Sequence, residues 1–352
     1  MTNQNLEVNF HITNAVTRND VARLAGVSSA TVSYVMNNGP RPVSPETRQK
    51  VMRAIKELGY QPNAVARNLR RRKTNTLGLI IPDTSNTYFA EVAQGIESVA
   101  YEKNFTLIFC HSNYDPEREL HYVKHLYTER AMGVILIPAT SSLEPVNRLL
   151  EYNIPTIILD RYAEGIQVPS VVAKNFEGGF LATQHLISLG HTRIGCIARE
   201  VELTHSQERV RGYLEAMQQA GLSHNRRWIA PGGYRMENGK NAMNYLLELD
   251  TPPTAVFAYN DIMAIGALRA LHEHGIQVPQ DFSIVGFDDI TEASFTCPAL
   301  TTIRQAKFEM GRHGVELLLH LISGGTAETI GQVPPLEVQL IERESTGPAA
   351  IK

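Results

Sequence analysis

Two hydrophobic rhythms divide the 352-residue chain. Between residues 17 and 60 apolar positions return every three or four residues in short bursts, the spacing of small amphipathic helices. From Leu77 onward the rhythm changes. Unbroken runs such as LGLIIP, FTLIFC, GVILIP and TIILD alternate with helical segments near 87–103 and 116–128, and the series restarts at RIGCIA, TAVFAYN and FSIVGFDD. Val/Ile/Leu runs of this kind suit strands buried on both faces, and their alternation with helices predicts parallel sheets covered on both sides. The restart predicts two doubly wound lobes.

The first rhythm carries its own punctuation. Thr17 stands where an N-cap belongs, with Asp20 three residues later as a variant capping box. Helix 1 then starts near Arg18, places Val21, Leu24 and Ala25 on one face, and stops at Gly26. Ser28 caps a second helix whose inward face is Ala30 or Thr31, Val32, Val35 and Met36. A third begins with Ser44 as N-cap and Pro45 at N1, with the stripe Val51, Ile55 and Leu58. Three helices around a small core, the first two joined by a Gly-containing turn, form a helix-turn-helix pattern. The predicted fold class is an all-α helix-turn-helix head plus an α/β body. Helix 2 carries hydroxyls outward where a solvated helix has Glu and Lys, and short polar side chains of this kind fit base edges and phosphates in a major groove.

Charge sharpens the division. The net charge is -3, yet residues 1–74 hold 12 Lys and Arg against 4 Asp and Glu, leaving the remainder at -11. A basic head on an acidic body predicts a polyanion-binding module joined to a part with another task. After the head, Pro62 ends helix 3, and Ala64 to Arg70 has the length of about two helical turns, too short to be stable alone in water and expected to fold on DNA. Cys110, Cys196 and Cys297 read as buried thiols of a reducing compartment. The start of the chain lacks the pattern of a secretory signal and no long apolar run occurs, so a cytoplasmic protein without membrane contact is expected.

The stretch VTRNDVARLAGVSSATVSYVMN closely resembles the signature of the lac repressor family of bacterial transcription regulators. By that resemblance Ser29, Ala30 and Tyr34 fall on base-reading positions, and Thr17, Ser28, Thr31, Ser33, Asn37 and Thr47 on positions that hold phosphates. Tyr34 stands where the family commonly has Arg, which removes a bidentate guanine contact. The segment 62–75 matches the family's hinge helix, whose first turn Asn63 can cap as one of the expected DNA-binding residues: Leu69 falls on the residue that wedges between base steps, Ala66 on the close helix approach, and Arg67 and Asn68 near the groove.

The resemblance extends over 76–345 through LGLIIPDTSNTYFAEV, LDR, NFEGGFLAT, RVRGYLEAM, FAYNDIMAIGAL and VPQDFSIVGFDD, and it implies lobes of periplasmic-binding-protein type. It places Asn86, Tyr88, Phe89, Asp160, Arg161, Asn175, Arg209, Asn260 and Asp288 around the cleft between them. The rule that ligands bind at the carboxyl ends of parallel strands points to the same places, since Asp83 to Asn86, Asp160 and Arg161, Asn260 and Asp261, and Asp288 and Asp289 directly follow apolar runs. Such a set suits a small polyhydroxylated effector: a sugar, a sugar phosphate or a nucleoside or purine. Arg209 is expected to fork onto an oxygen pair of that ligand.

The expected division is a tail at 1–16, the DNA-binding head at 17–61, the hinge and linker at 62–75, the effector and dimerisation body at 76–345, and a tail at 346–352. The expected partners are a double-stranded operator, a small effector and a second copy of the chain, because one head reads only a half-site. No cofactor or metal is expected. His121 and His125 share a helical face without an HExxH glutamate or a third ligand. No GxGxxG or P-loop follows a strand. The alternative is an α/β enzyme fused to a DNA-binding head, which survives through the adjacent acids Asp288 and Asp289. The C-terminal segment lacks a Leu heptad, so the family's appended tetramerising zipper is not expected.

Overall fold

The computed structural model describes residues 16–37, 41–60, 74–162, 165–199, 204–223 and 225–350. The chain divides into two compact units, Met1–Lys73 and Thr74–Lys352.

The first unit contains α1 (Arg18–Ala25), α2 (Ser29–Asn37) and α3 (Pro45–Leu58). Thr17 and Asp20 form the expected reciprocal cap, and Gly26 ends α1 in the left-handed conformation, φ 66°, that glycine adopts at least cost. Ser28 Oγ accepts from the Thr31 amide, and Ser44 Oγ from that of Thr47, so both anticipated N-caps are made. Val21, Ala22, Val32, Val35, Val51 and Ala54 fill the core. Two assignments to this core change. Leu24 lies exposed on α1, and Ala30 points outward on α2, with the inward positions taken by Val32 and Val35.

In the second unit, β1 (Thr76–Ile81), β2 (Thr106–His111), β3 (Gly133–Leu136), β4 (Thr156–Leu159) and β5 (Ser170–Val171) form one parallel sheet in the order β2-β1-β3-β4-β5. The second sheet joins β6 (Ile194–Ala198), β7 (Ile229–Pro231), β8 (Ala255–Ala258), β9 (Ser283–Asp288), β10 (Thr301–Gln305) and β11 (Val338–Ile341) in the order β11-β10-β9-β8-β6-β7. Only the β10–β11 pair is antiparallel among the pairings of these strands. The central strands are completely buried, as continuous apolar runs require.

Helices α4 (Thr87–Glu102), α5 (Pro116–Thr128) and α6 (Glu144–Glu151) belong to the first lobe; α7 (Asn175–Ser188), α8 (Thr204–Gln219), α9 (Met236–Leu247) and α10 (Asp261–Glu273) belong to the second. Helix α11 (Lys307–Ile322) follows β10 of the second sheet yet packs on α4 and on β3 and β4 of the first. The chain therefore crosses repeatedly between lobes, which ties their movements to a few connections. Residues 346–349 are bonded into the second lobe, with Ala349 N donating to Leu189 O and Gly347 O accepting from Ser283, so the expected terminal tail starts later than residue 346. Cys110 and Cys196 are buried as expected, whereas Cys297 is exposed. No helix among the described residues is long and apolar enough to cross a membrane.

Candidate functional site

The outer side of α2 is built by its caps and its core. Burial of Val32 and Val35 fixes the rotation of the helix, which leaves Ser28 and Ala30 exposed and Ser29, Thr31, Ser33 and Tyr34 partly so. Ser28 Oγ and Thr31 Oγ1 lie 2.9 Å apart, and Ser44 Oγ donates to Thr47 Oγ1. Arg48 donates to Val35 O from α3 and fastens the C-terminal end of α2. No charged residue lies on α2, and the surface it offers is short, polar and close to the backbone. Thr17 caps α1 and is exposed. Asn37 ends α2. Asn63, Ala66, Arg67 and Leu69 lie outside the described residues.

The second site lies between the lobes of the body. Asn86, Tyr88, Phe89, Asp160, Arg161, Arg209, Asn260 and Asp288 line one cleft, together with Tyr114, Arg199, Gly233, Tyr234 and Tyr259. Its open volume is about 20 Å³, room for little more than one water. Its acids occupy equivalent places in the two sheets. Asp160 follows β4 with φ 66°, and Asp288 closes β9 with φ 113°, both in the left-handed region that costs a non-glycine residue about 1–3 kcal/mol. That backbone turns both carboxylates inward at the strand ends.

Each carboxylate has partners. Tyr88 Oη donates to Asp160 Oδ1 at 2.7 Å, and burial with Asp160 beside it keeps the phenol protonated. Gln305 donates to Asp288 Oδ1 at 2.7 Å, Lys307 Nζ donates to the Asp288 carbonyl, and Arg209 Nη1 stands 3.7 Å from Oδ1. Burial pushes the Asp288 carboxyl up to about 7 against the pull of Arg209, with Asp160 nearby adding to the rise. Asn86 and Asn260 cap α4 and α10 through Oδ1, accepting from Tyr88 N and Met263 N, which leaves each amide nitrogen as the group to offer a ligand.

Two expected roles change. Asn175, expected around the cleft, does not line it; it is buried at the start of α7 and accepts from Arg209 Nε at 2.7 Å. Arg209 also donates from Nη1 to Tyr259 O and lies over the Phe287 ring at 3.6 Å, so two of its nitrogens are already committed to the protein rather than forked toward a ligand. The guanidinium with donors to spare is Arg161. It is 4% exposed, and its Nε and Nη1 have no hydrogen-bond partner among the described residues. Burial, with Arg199 alongside, pushes it down to about 10, still fully charged at neutral pH.

Tyr114, Arg199, Tyr234 and Tyr259 went unassigned from the sequence. Tyr114 of the first lobe stacks on Tyr234 of the second with centroids 4.0 Å apart, and the Arg199 guanidinium sits 3.9 Å from the Tyr234 centroid. Arg199 Nη2 reaches across to Ala139 O, Arg235 to Asn113, and Thr87 to Glu292. Arg199 directly follows the run RIGCIA, so the strand-end rule could have found it; Tyr234 follows the three-residue β7, too short to leave a periodic signal.

Other candidates resolve into structural roles. Asp83 closes a turn by accepting from the amide and hydroxyl of Ser85. Asp261 is fully buried and bonded to Thr302 and the Ile290 amide. Asp289 is held by Arg304 and Arg343 rather than converging on the cleft beside Asp288. His121 and His125 are exposed on α5.

Both parts of this arrangement have known counterparts. Residues 17–63 match the bacterial regulatory proteins of the lacI family, and residues 183–346 match a periplasmic binding protein-like domain. The HTH-type transcriptional repressor PurR of Vibrio campbellii is 38% identical over 305 residues, covering 86% of this chain and 91% of that protein. The chain belongs to the lacI family of bacterial regulatory proteins. PurR of Vibrio cholerae is 36% identical to this lacI-family chain over 327 residues, 93% of it and 96% of the relative. The lac repressor dimer bound to operator and an anti-inducer superposes with a TM-score of 0.83 at 29% identity, covering 95% of this chain and all of that one. A CelR–cellobiose complex gives 0.71 at 33% identity, covering 94% and 99% respectively. The two parallel-sheet lobes of this lacI-family protein are thus of periplasmic-binding-protein type.

Proposed function

We propose that this lacI-family protein is a transcriptional repressor that holds a pseudo-palindromic operator as a homodimer and is controlled by a small polyhydroxylated molecule in its interlobe cleft. The observation that carries it is the pairing, in one chain, of an uncharged hydroxyl-lined recognition helix with a strand-end cleft of carboxylates, amides and guanidinium groups. Ser29, Ala30 and Tyr34 read base edges, while Thr17, Ser28, Thr31, Ser33, Asn37 and Thr47 hold phosphates. Asn63, Ala66, Arg67 and Leu69 act from the hinge in the minor groove. In the cleft, Asp160, Asp288, Asn86 and Asn260 bond ligand hydroxyls, Tyr88 and Phe89 cover its ring, and Arg209 is oriented by Asn175. The protein acts in the cytoplasm, where its operator is, and binds rather than transforms its ligand; Asp289, the sequence neighbour of Asp288, is held by Arg304 and Arg343 instead of facing the cleft.

Selection of the full-length protein on a pool of random duplexes tests the DNA half. Two related half-sites are expected to be enriched, and Tyr34→Arg is expected to shift one position of each toward guanine. A pool with no sequence enrichment, and binding set by salt alone, would refute it.

A further inference from the structure

We propose that the second lobe holds a further binding site, separate from the interlobe cleft, for a small organic cation with an apolar body. The site is a groove of about 470 Å³ between α7, the end of α8 and the start of β11, against about 20 Å³ of open space in the cleft. That volume falls within the range of about 300–1,000 Å³ occupied by small-molecule sites. Phe176 and Phe180 stand four residues apart on α7, as do Glu177 and Leu181, so one side of the helix offers two rings, an aliphatic chain and a carboxylate to the same space. Val338 of β11 completes the apolar lining, and all four apolar side chains are only partly buried.

Charge selects the occupant. Three carboxylates, Glu177, Glu215 and Glu337, line the groove against one cation, Lys174. Lys174 Nζ is bonded to Glu337 at 2.6 Å, and Glu215 accepts from the neutral amide of Gln219, so Glu177 and Glu215 are negative charge in excess. Arg211 lies 5.7 Å from the Phe176 centroid but is paired with Glu208. A neutral or anionic molecule could cover the rings only by drying those carboxylates, whereas an ammonium compensates them and is attracted to the ring faces. The groove also borders the joints between the lobes. Lys174 ends the segment that leaves β5 of the first sheet, and Glu337 ends the one that returns from α11. Lys174 N donates to Leu336 O and Leu336 N to Val172 O, which ties these two connections together. Asn175, next to Lys174, holds Arg209 at the cleft. A cation in the groove therefore touches the lobe connections without entering the cleft.

The test is thermal unfolding of the full-length protein at neutral pH, titrated with phenethylamine and benzylamine, and with phenethyl alcohol and benzyl alcohol as neutral counterparts of the same shape. Wild type is compared with the double variant Glu177→Gln, Glu215→Gln and with Gln219→Arg. At least one amine is expected to raise the wild-type midpoint saturably, with its alcohol about tenfold weaker or without effect. The double variant is expected to weaken that amine about tenfold, the scale of two carboxylates at a partly exposed site. Gln219→Arg sets a tethered guanidinium four residues from Glu215 at an exposed position and is expected to abolish the response. No saturable response of wild type to either amine, alcohols that bind as well as their amines, or equal amine responses in all three proteins would overturn the proposal.

Discussion

Arg209 is where the cleft's electrostatics and its stability meet. Its guanidinium holds Asn175, the Tyr259 carbonyl and the neighbourhood of Asp288 at once, all in a buried setting. Arg209→Ala leaves Asp288 without its counter-charge and is expected to cost about 3–5 kcal/mol in urea unfolding, well above the scale of a surface ion pair. A loss below about 1 kcal/mol would show that Gln305 and Lys307 suffice. Glu119 gives a second residue-scale prediction, this time in pH. Burial pushes its carboxyl from an ordinary 4.5 up to about 7, so between those values the folded protein keeps a proton that the unfolded chain releases. Stability is therefore lost as pH rises through that window, by up to about 3 kcal/mol from this group alone, and levels off above it. Glu119→Gln keeps the acceptor for Ala139 and is expected to flatten part of the slope between pH 5 and pH 8, the remainder being shared by the raised carboxyls of Asp288 and Asp261 and opposed by His185 and His191, which burial lowers. An unchanged slope would place the proton elsewhere.

At the scale of elements, the position of Arg209 is set by how closely two helices approach. A Cβ on Gly179 of α7 would lie 2.1 Å from the Arg209 carbonyl of α8, and one on Gly212 would lie 2.1 Å from the Phe176 carbonyl, so only glycine permits this contact. Gly179→Ala is expected to push α8 outward, destabilise the body by about 1–3 kcal/mol and weaken ligand binding more than a substitution of equal cost in the core of the first lobe. Equal weakening by both would deny the helix contact a positioning role. The same elements show what a sequence discloses. Helix caps, strand runs and the residues that follow them depend on a few neighbouring positions, so Thr17, Ser28, Ser44, Asp160 and Asp288 could be placed from local pattern and resemblance. The resemblance places Asn175 at the cleft, and only the approach of α8, which brings Arg209 onto its side-chain oxygen, gives it a supporting place behind the cleft instead. The Tyr114–Tyr234 stack joins residues of different lobes, and no local window holds both. The direction in which a long side chain spends its donors, which separates Arg161 from Arg209, depends on packing throughout the cleft.

For the whole molecule, control of DNA by the cleft requires that the ligand favour one arrangement of the lobes over another. The contacts able to differ between arrangements are few and specific: the Tyr114–Tyr234 stack, Arg199 to Ala139, Arg235 to Asn113 and Thr87 to Glu292. The open space of about 20 Å³ in the cleft is smaller than a sugar, so a ligand is expected to loosen these bridges between the lobes. Coupling of this origin amounts to about 1–3 kcal/mol, and by reciprocity operator DNA changes ligand affinity by the same factor. The most direct measurement is the affinity of the full-length protein for its selected operator by fluorescence anisotropy, without ligand and at saturation with the tightest cleft ligand found by thermal shift. The account predicts a change of about 5- to 150-fold, matched by an equal shift in ligand affinity when operator is added; the same operator affinity with and without a ligand that demonstrably fills the cleft would contradict it.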